Sequence, residues 1–323
     1  MKRIDENRSR CMLRCALVLL VLPTLVWAHE DRQHSHERDA QPPYNGPGWD
    51  PTEGGGPPIA FPSSGIQLLS WIPITQFNPA GTSANVAWGY VAPSGREYAI
   101  LGFSHGTGFV EVTNPSNAQI GAVITGPTSL WRDIKVYQNY CYAVSEAGSG
   151  IQVMNLSQID SGIVTLVGTV TTPSGTTMST HTVAVNEASG YLYRCGGGSF
   201  IGLRIYSLAN PATPTYVTTW NAGRYVHEAQ VVTYTSGPYA GKEIAFCFSE
   251  TSSGGGTPGI NILDVTNKSN ILQLSFVQYP NAAFSHQGWL SPDHHYLFLD
   301  DELDESQFGI YSLTRVFDVL NLA

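Results

Sequence analysis

The sequence predicts an all-β fold of the propeller type, with about five four-stranded blades. Three observations predict it: no long helical periodicity after Gln67, short β-branched and aromatic runs punctuated by Gly, Pro, Asn and Ser, and one unit of strands that recurs five times. The third strand of the unit aligns best. It reads Gly108-Phe109-Val110-Glu111-Val112, Gly150-Ile151-Gln152-Val153-Met154, Gly202-Leu203-Arg204-Ile205-Tyr206, Gly259-Ile260-Asn261-Ile262-Leu263 and Leu313-Thr314-Arg315-Val316-Phe317, at spacings of 42, 52, 57 and 54 residues. A four-stranded blade takes roughly 40 to 50 residues, so the period fits blades with some longer loops.

Second strands are expected over 97–102, 141–145, 191–195, 243–249 and 296–300, and first strands begin near Trp88, Arg132, His181, His227 and His286. Outer strands follow over 119–124, 163–170, 216–220 and 272–278, but the fifth unit stops after its third strand. Residues 66–74, the first apolar run after the N-terminal segment, are expected to supply the missing strand and close the ring, because an open array leaves sheet edges exposed to aggregation. A fragment of a six- or seven-bladed propeller is the alternative. A two-sheet sandwich explains the strands but not the fivefold unit.

The domain limits follow from the N-terminal region. Lys2, Arg3, Arg8, Arg10 and Arg14 precede an apolar run over 16–27 that ends in Val26-Trp27-Ala28, the pattern of a secretory signal peptide over 1–28. About a dozen apolar residues are too few to cross a bilayer, so the expected product is secreted, periplasmic or extracellular, with no transmembrane segment after cleavage. Residues 29–65, with His29, His34, His36, paired prolines and Gly54-Gly55-Gly56, read as a disordered linker. The propeller domain is 66–323.

Of the 16 Lys and Arg and 25 Asp and Glu in the chain, five and two lie in residues 1–28, which leaves 11 against 23 and a formal charge of −12. That balance excludes nucleic acid as an expected partner. Cys141, Cys195 and Cys247 are an odd number without CxxC spacing and read as small core residues.

Several ordered motifs carry a family likeness: Trp88-Gly89-Tyr90, Trp131-Arg132-Asp133-Ile134-Lys135-Val136-Tyr137, His227-Glu228-Ala229-Gln230, Ile262-Leu263-Asp264-Val265-Thr266, His286-Gln287-Gly288-Trp289-Leu290 and Asp300-Asp301-Glu302-Leu303-Asp304-Glu305. With these the stretch 66–323 resembles the choice-of-anchor B exported proteins with LVIVD-type β-propeller repeats. The resemblance implies an exported repeat propeller and no established catalytic activity. Members of that family continue into further repeats and often carry a C-terminal sorting segment. No such tail precedes Ala323, so a surface anchor is not expected.

Successive strands of a blade are antiparallel, so first-strand starts and second-strand ends share one face of the ring. Aligning the units puts Trp88, Arg132, His181, His227 and His286 at one position, with Asp133, Glu228 and Gln287 beside them. Glu146, Glu250 and Glu302 share the second-strand position. Two readings stay open. In one, His181, His227, His286, Glu146, Glu250 and Glu302 hold a divalent metal, zinc, manganese, iron or calcium, and serve a hydrolase or lyase. In the other, each His or Arg pairs with a Glu and stitches strands together, while Trp88, Trp131, Arg132, Asp133, Glu228, Gln287 and Trp289 form a face that binds a protein or glycan partner as a scaffold module. The acidic run 300–305 lacks the spacing of a calcium loop and is expected to be solvated.

Overall fold

The computed structural model describes the backbone of residues 44–49 and residues 66–322, apart from 174–177, 199, 222 and 251–256. The expected signal peptide lies outside the described residues, and so does most of the expected linker. Within that range Tyr44–Trp49 forms strand β1, which pairs antiparallel with β2 (Leu68–Trp71).

Nineteen further strands build five antiparallel sheets, each an up-and-down meander in chain order. The first holds β3 (Ala84–Val91), β4 (Glu97–Phe103), β5 (Gly106–Glu111) and β6 (Gln119–Thr125), and the second β7 (Arg132–Tyr137), β8 (Tyr140–Ser145), β9 (Ile151–Gln158) and β10 (Ile163–Val170). The third holds β11 (Thr182–Asn186), β12 (Tyr191–Cys195), β13 (Leu203–Ser207) and β14 (Thr215–Trp220), and the fourth β15 (Tyr225–Thr233), β16 (Glu243–Glu250), β17 (Gly259–Asp264) and β18 (Leu272–Val277). The fifth has three strands, β19 (Ser285–Leu290), β20 (Tyr296–Asp301) and β21 (Thr314–Asp318), with a short helix α1 (Asp304–Phe308) between the last two. The first strands pack side by side in order, β3 on β7, β7 on β11, β11 on β15 and β15 on β19, which is the arrangement of propeller blades.

Burial follows strand position. The middle strands β8 and β17 are buried along almost their whole length because a neighbouring sheet covers each face, and their sequences are accordingly near-continuous apolar runs. The outer strand β6 alternates exposed and covered residues.

Four apolar layers lie between consecutive sheets. Ile100 and Phe109 meet Ile134, Ala143 and Met154; Tyr142 and Val153 meet Val183 and Leu192; Tyr193 and Ile205 meet Val231 and Ala245; Phe246 and Phe248 meet Leu297 and Leu299. Each buried side chain of this size contributes about 1.5 to 3 kcal/mol relative to exposure. The three cysteines are buried thiols within these layers.

The expected closure is corrected. The segment over 66–74 does not join β21; β2 pairs with β1, and Ile74 and Phe77 pack with Phe103 and Val110 on the outward face of the first sheet. The apolar side chains of this segment are used to cover that face. Phe77 sits so close to β5 that a Cβ on Gly108 would lie 2.4 Å from its ring.

Polar groups join the sheets where apolar packing cannot. Arg132 is 2% exposed and gives Nε–H to the Phe103 carbonyl at 3.2 Å, one terminal nitrogen to Gln152 Oε1 at 3.3 Å and the other to the Pro127 carbonyl at 2.6 Å, tying the second sheet to the first. Two acids of the run over 300–305, Asp301 and Asp304, are buried and not solvated as expected. Asp301 accepts from Tyr279 Oη and from the backbone of Ala283, Phe284 and Leu303, and Asp304 makes a two-pronged pair with Arg315 at 2.7 and 3.0 Å. Both carboxylates are taken by protein donors.

Arg132→Ala leaves two carbonyls and a side-chain amide without their donor, and it should destabilise the fold by about 3 kcal/mol in urea melts at neutral pH. Arg315 holds the Asp304 carboxyl below the usual carboxylate range. A depressed folded-state value contributes stability that is present above the unfolded value and is lost as pH falls through the folded one. Wild type should therefore lose stability below about pH 4 more steeply than Asp304→Asn, as read by melting temperature across an acid series.

Candidate metal centre

His227 and His286 occupy matching places in their sheets. In the β15–β16 ladder Val226 faces Ser249 and Glu228 faces Phe248, and in the β19–β20 ladder Ser285 faces Asp301 and Gln287 faces Asp300. Each histidine is thus the extra residue of a β-bulge. A bulge breaks the up-down alternation and re-aims the side chain it carries. The β3–β4 ladder has the same irregularity between Ala84 and Val86, so Asn85, not Trp88, takes the histidine's place in the first sheet. The β7–β8 ladder is regular from Arg132 onward and has no counterpart.

The rings of His181, His227 and His286 lie side by side, tilted to one another. The His227 ring lies 4.1 Å from that of His181 and 4.4 Å from that of His286, centroid to centroid, with Phe284 edge-on at 5.1 Å. His227 Nδ1 donates to the His286 carbonyl at 3.0 Å, since a carbonyl only accepts. That bond fixes the tautomer and leaves the lone pair of the neutral ring on Nε2, as ligating histidines are commonly oriented. His286 Nε2 stands 3.6 Å from Glu302 Oε2.

One ligand atom from each of His227, His286 and Glu302 lies within 4.8 Å of the others. Ligands of a tetrahedral zinc ion with bonds of about 2.1 Å sit roughly 3.4 Å apart, so the cluster needs to contract by little more than an ångström at its widest. Two imidazoles and one carboxylate suit zinc, manganese or iron(II). Calcium, which takes six to eight oxygens, does not fit the set.

His181 belongs to this row of rings but has a partner of its own: Nδ1 meets Glu146 Oε1 at 2.6 Å. Backbone bonds hold both residues in place, from His181 N to the Cys195 carbonyl at 3.0 Å and from Glu146 N to the Trp131 carbonyl at 3.3 Å. Glu250 is close enough to feel His181 and Glu302. Burial, helped by the Glu302 charge, pushes its carboxyl up to about 7. Burial together with the Asp133 charge does the same to Glu228.

Of the face expected to bind a partner, two residues are withdrawn from the surface. Arg132 and Asp133 are buried, the latter accepting from Lys135 and from the Val183 backbone. Trp88 is packed into the first core layer under Lys135, and Trp131 is half-buried. Of that group Gln287 and Trp289 are exposed, and Trp289 stands on the outward face of the fifth sheet.

Tyr225 was not foreseen. Its hydroxyl accepts from Gly197 N at 3.1 Å, and burial with the Glu146 and Glu250 charges raises its pKa. Gly197 has a φ of +94°, and a Cβ there would lie 2.4 Å from the Ser179 backbone, so only glycine brings this N–H to the tyrosine. A signal was available in the sequence: Tyr225 precedes His227 by two residues, as Phe284 precedes His286.

No family model matches this chain, and no curated protein does. Among solved structures it is similar to the hydrazine synthase of Kuenenia stuttgartiensis at 10% identity and a TM-score of 0.44, over 65% of this chain and 53% of that one. It is also similar to a candidate 6-phosphogluconolactonase of Bacteroides uniformis at 10% identity and a TM-score of 0.49, over 69% of this chain and 63% of that one. The periplasmic gluconolactonase of Pseudomonas aeruginosa is similar at 10% identity and a TM-score of 0.48, over 71% of this chain and 69% of that one. This chain thus spans about half the length of the first of these structures and less than two thirds of the second.

Proposed function

We propose that this chain is a divalent-metal-dependent hydrolase or lyase of propeller-like fold, with His227, His286 and Glu302 as the ligands and the His181–Glu146 pair as the proton acceptor beside them. The observation that carries the reading is the mutual approach of the three ligand atoms within 4.8 Å. Three protein ligands leave coordination positions open, as in catalytic rather than structural zinc sites. A bound ion would supply polarisation of a carbonyl or phosphoryl oxygen.

The residues of the chain divide the remaining work. Glu146 holds the His181 ring through Nδ1, so Nε2 is the nitrogen that accepts a proton, the division of labour of a base and its orienting carboxylate. Glu250 and Glu228, with carboxyls raised to about 7, are only partly ionised at neutral pH and limit the negative charge that gathers around the histidines. Tyr225 stands beside the His227 ring, 6.4 Å from centroid to centroid, and is held by Gly197 N.

Export is part of the proposal and rests on the signal-peptide pattern over 1–28 and the resemblance to choice-of-anchor B proteins. Among the described residues no helix is long and apolar enough to cross a membrane. The binding-module reading is less favoured because two residues of the face expected to serve it, Arg132 and Asp133, are buried.

Metal analysis of the purified protein should find one zinc, manganese or iron per chain. His227→Ala and His286→Ala should each abolish it, together with the chelator-sensitive part of the stability, about 4 kcal/mol at a thousandfold excess of metal over Kd. No ion in wild type, with equal destabilisation of both variants in chelator, would mean that the histidines only join sheets. Glu146→Gln should keep the metal and lower kcat about a hundredfold on whichever ester, lactone, phosphate or glycoside of a screening panel shows chelator-sensitive turnover.

A further inference from the structure

Among the described residues, the outward face of the fifth sheet differs from the other sheet faces of the array. Four apolar layers cover the faces between consecutive sheets, and Ile74 and Phe77 cover the outward face of the first. On the fifth sheet Trp289 is 54% exposed, Phe298 42% and Val316 55%. The ladders set these three directly opposite one another, Trp289 to Phe298 and Phe298 to Val316, so they form one apolar row across all three strands. Rows of polar residues flank it: Gln287, Asp300 and Thr314 lie on one side, and Tyr296 faces Asp318 on the other.

We infer that this face is the interface of a homodimer, with the fifth sheets of two copies packed face to face about a two-fold axis. Three features select a second copy. The face continues the series of sheet-on-sheet layers that builds the molecule, so the same kind of surface covers it at the same spacing of about 10 Å. It has the anatomy of an interface, an apolar centre inside a polar rim. It also fits itself. A two-fold axis along the strands reverses the row, placing the Trp289 of one copy over the Val316 of the other and the two Phe298 rings together, so the largest side chain meets the smallest. The apolar row with Tyr296 leaves roughly 400 Å² open on each copy, the apolar centre of an interface whose standard size is roughly 800 Å² per partner.

Sedimentation of the full chain over a concentration series should show a dimer. Phe298→Glu and Val316→Lys should each weaken it about thirtyfold or more, as expected for a central contact, with an unchanged circular-dichroism spectrum and an unchanged metal content. Val167→Glu, at an exposed position on β10 of the second sheet, should leave the dimer intact. A wild-type chain that stays monomeric at every concentration overturns the inference. A dimer that survives both variants on the fifth sheet, or that Val167→Glu disrupts equally, overturns it as well. The metal content reports separately, so this interface can fail while the proposed centre stands.

Discussion

Face-to-face packing of antiparallel meanders is the constraint on which the rest of this structure depends. A four-stranded sheet with apolar side chains on both faces is not stable alone in water; it needs a neighbour on each side. Phe246 and Phe248 in β16, or Tyr142 and Val144 in β8, are fully buried only because a following sheet closes over them. Consecutive meanders then stack face to face, which brings their first strands side by side. The proposed metal centre is a product of that stacking, since its three ligands come from two different sheets.

Polar contacts add specificity to the apolar layers. Asp133 reaches the Val183 backbone, Thr182 Oγ1 donates to the His227 carbonyl at 2.6 Å, His227 donates to the His286 carbonyl, and Gln230 accepts from Leu290 N at 2.7 Å. Each rung links one first strand to the next. Further out, Glu243 gathers Asn186, Ser189, Tyr193 and Lys268 into one buried knot between the third and fourth sheets. Buried charge of this kind is tolerated because every carboxylate oxygen has a donor.

Strand positions were largely legible in the sequence, because a doubly covered strand must be apolar along its length and turns must carry Gly, Asn or Pro. The expected second strands 97–102 and 296–300 match β4 and β20 to within a residue. First strands were harder to read. In the first sheet the alignment on Trp88 fell three residues past the true counterpart, Asn85, because a bulge adds a residue without any compositional mark. The same slip made Arg132 look like a member of the histidine set, although it is a buried tie to Phe103, Pro127 and Gln152. Ring closure by 66–74 was misjudged for another reason. An apolar strand says that it needs a partner but not which of two open surfaces it will cover, and the outward face of the first sheet took it. Tyr225 went unnoticed because its role depends on a loop glycine, Gly197, that is distant in sequence.

The bulges separate what the scaffold needs from what the site needs. A residue held in register owes its identity partly to the strand opposite and to the layer behind it. The extra residue of a bulge has no partner across the ladder, so the sheet places few demands on it. Asn85, His227 and His286 stand at three such places on one kind of framework. Mutation can change the chemistry there one residue at a time while the ladders on either side keep their pairing, so a repeat fold of this design can lose, gain or exchange a ligand set without first having to relearn how to fold.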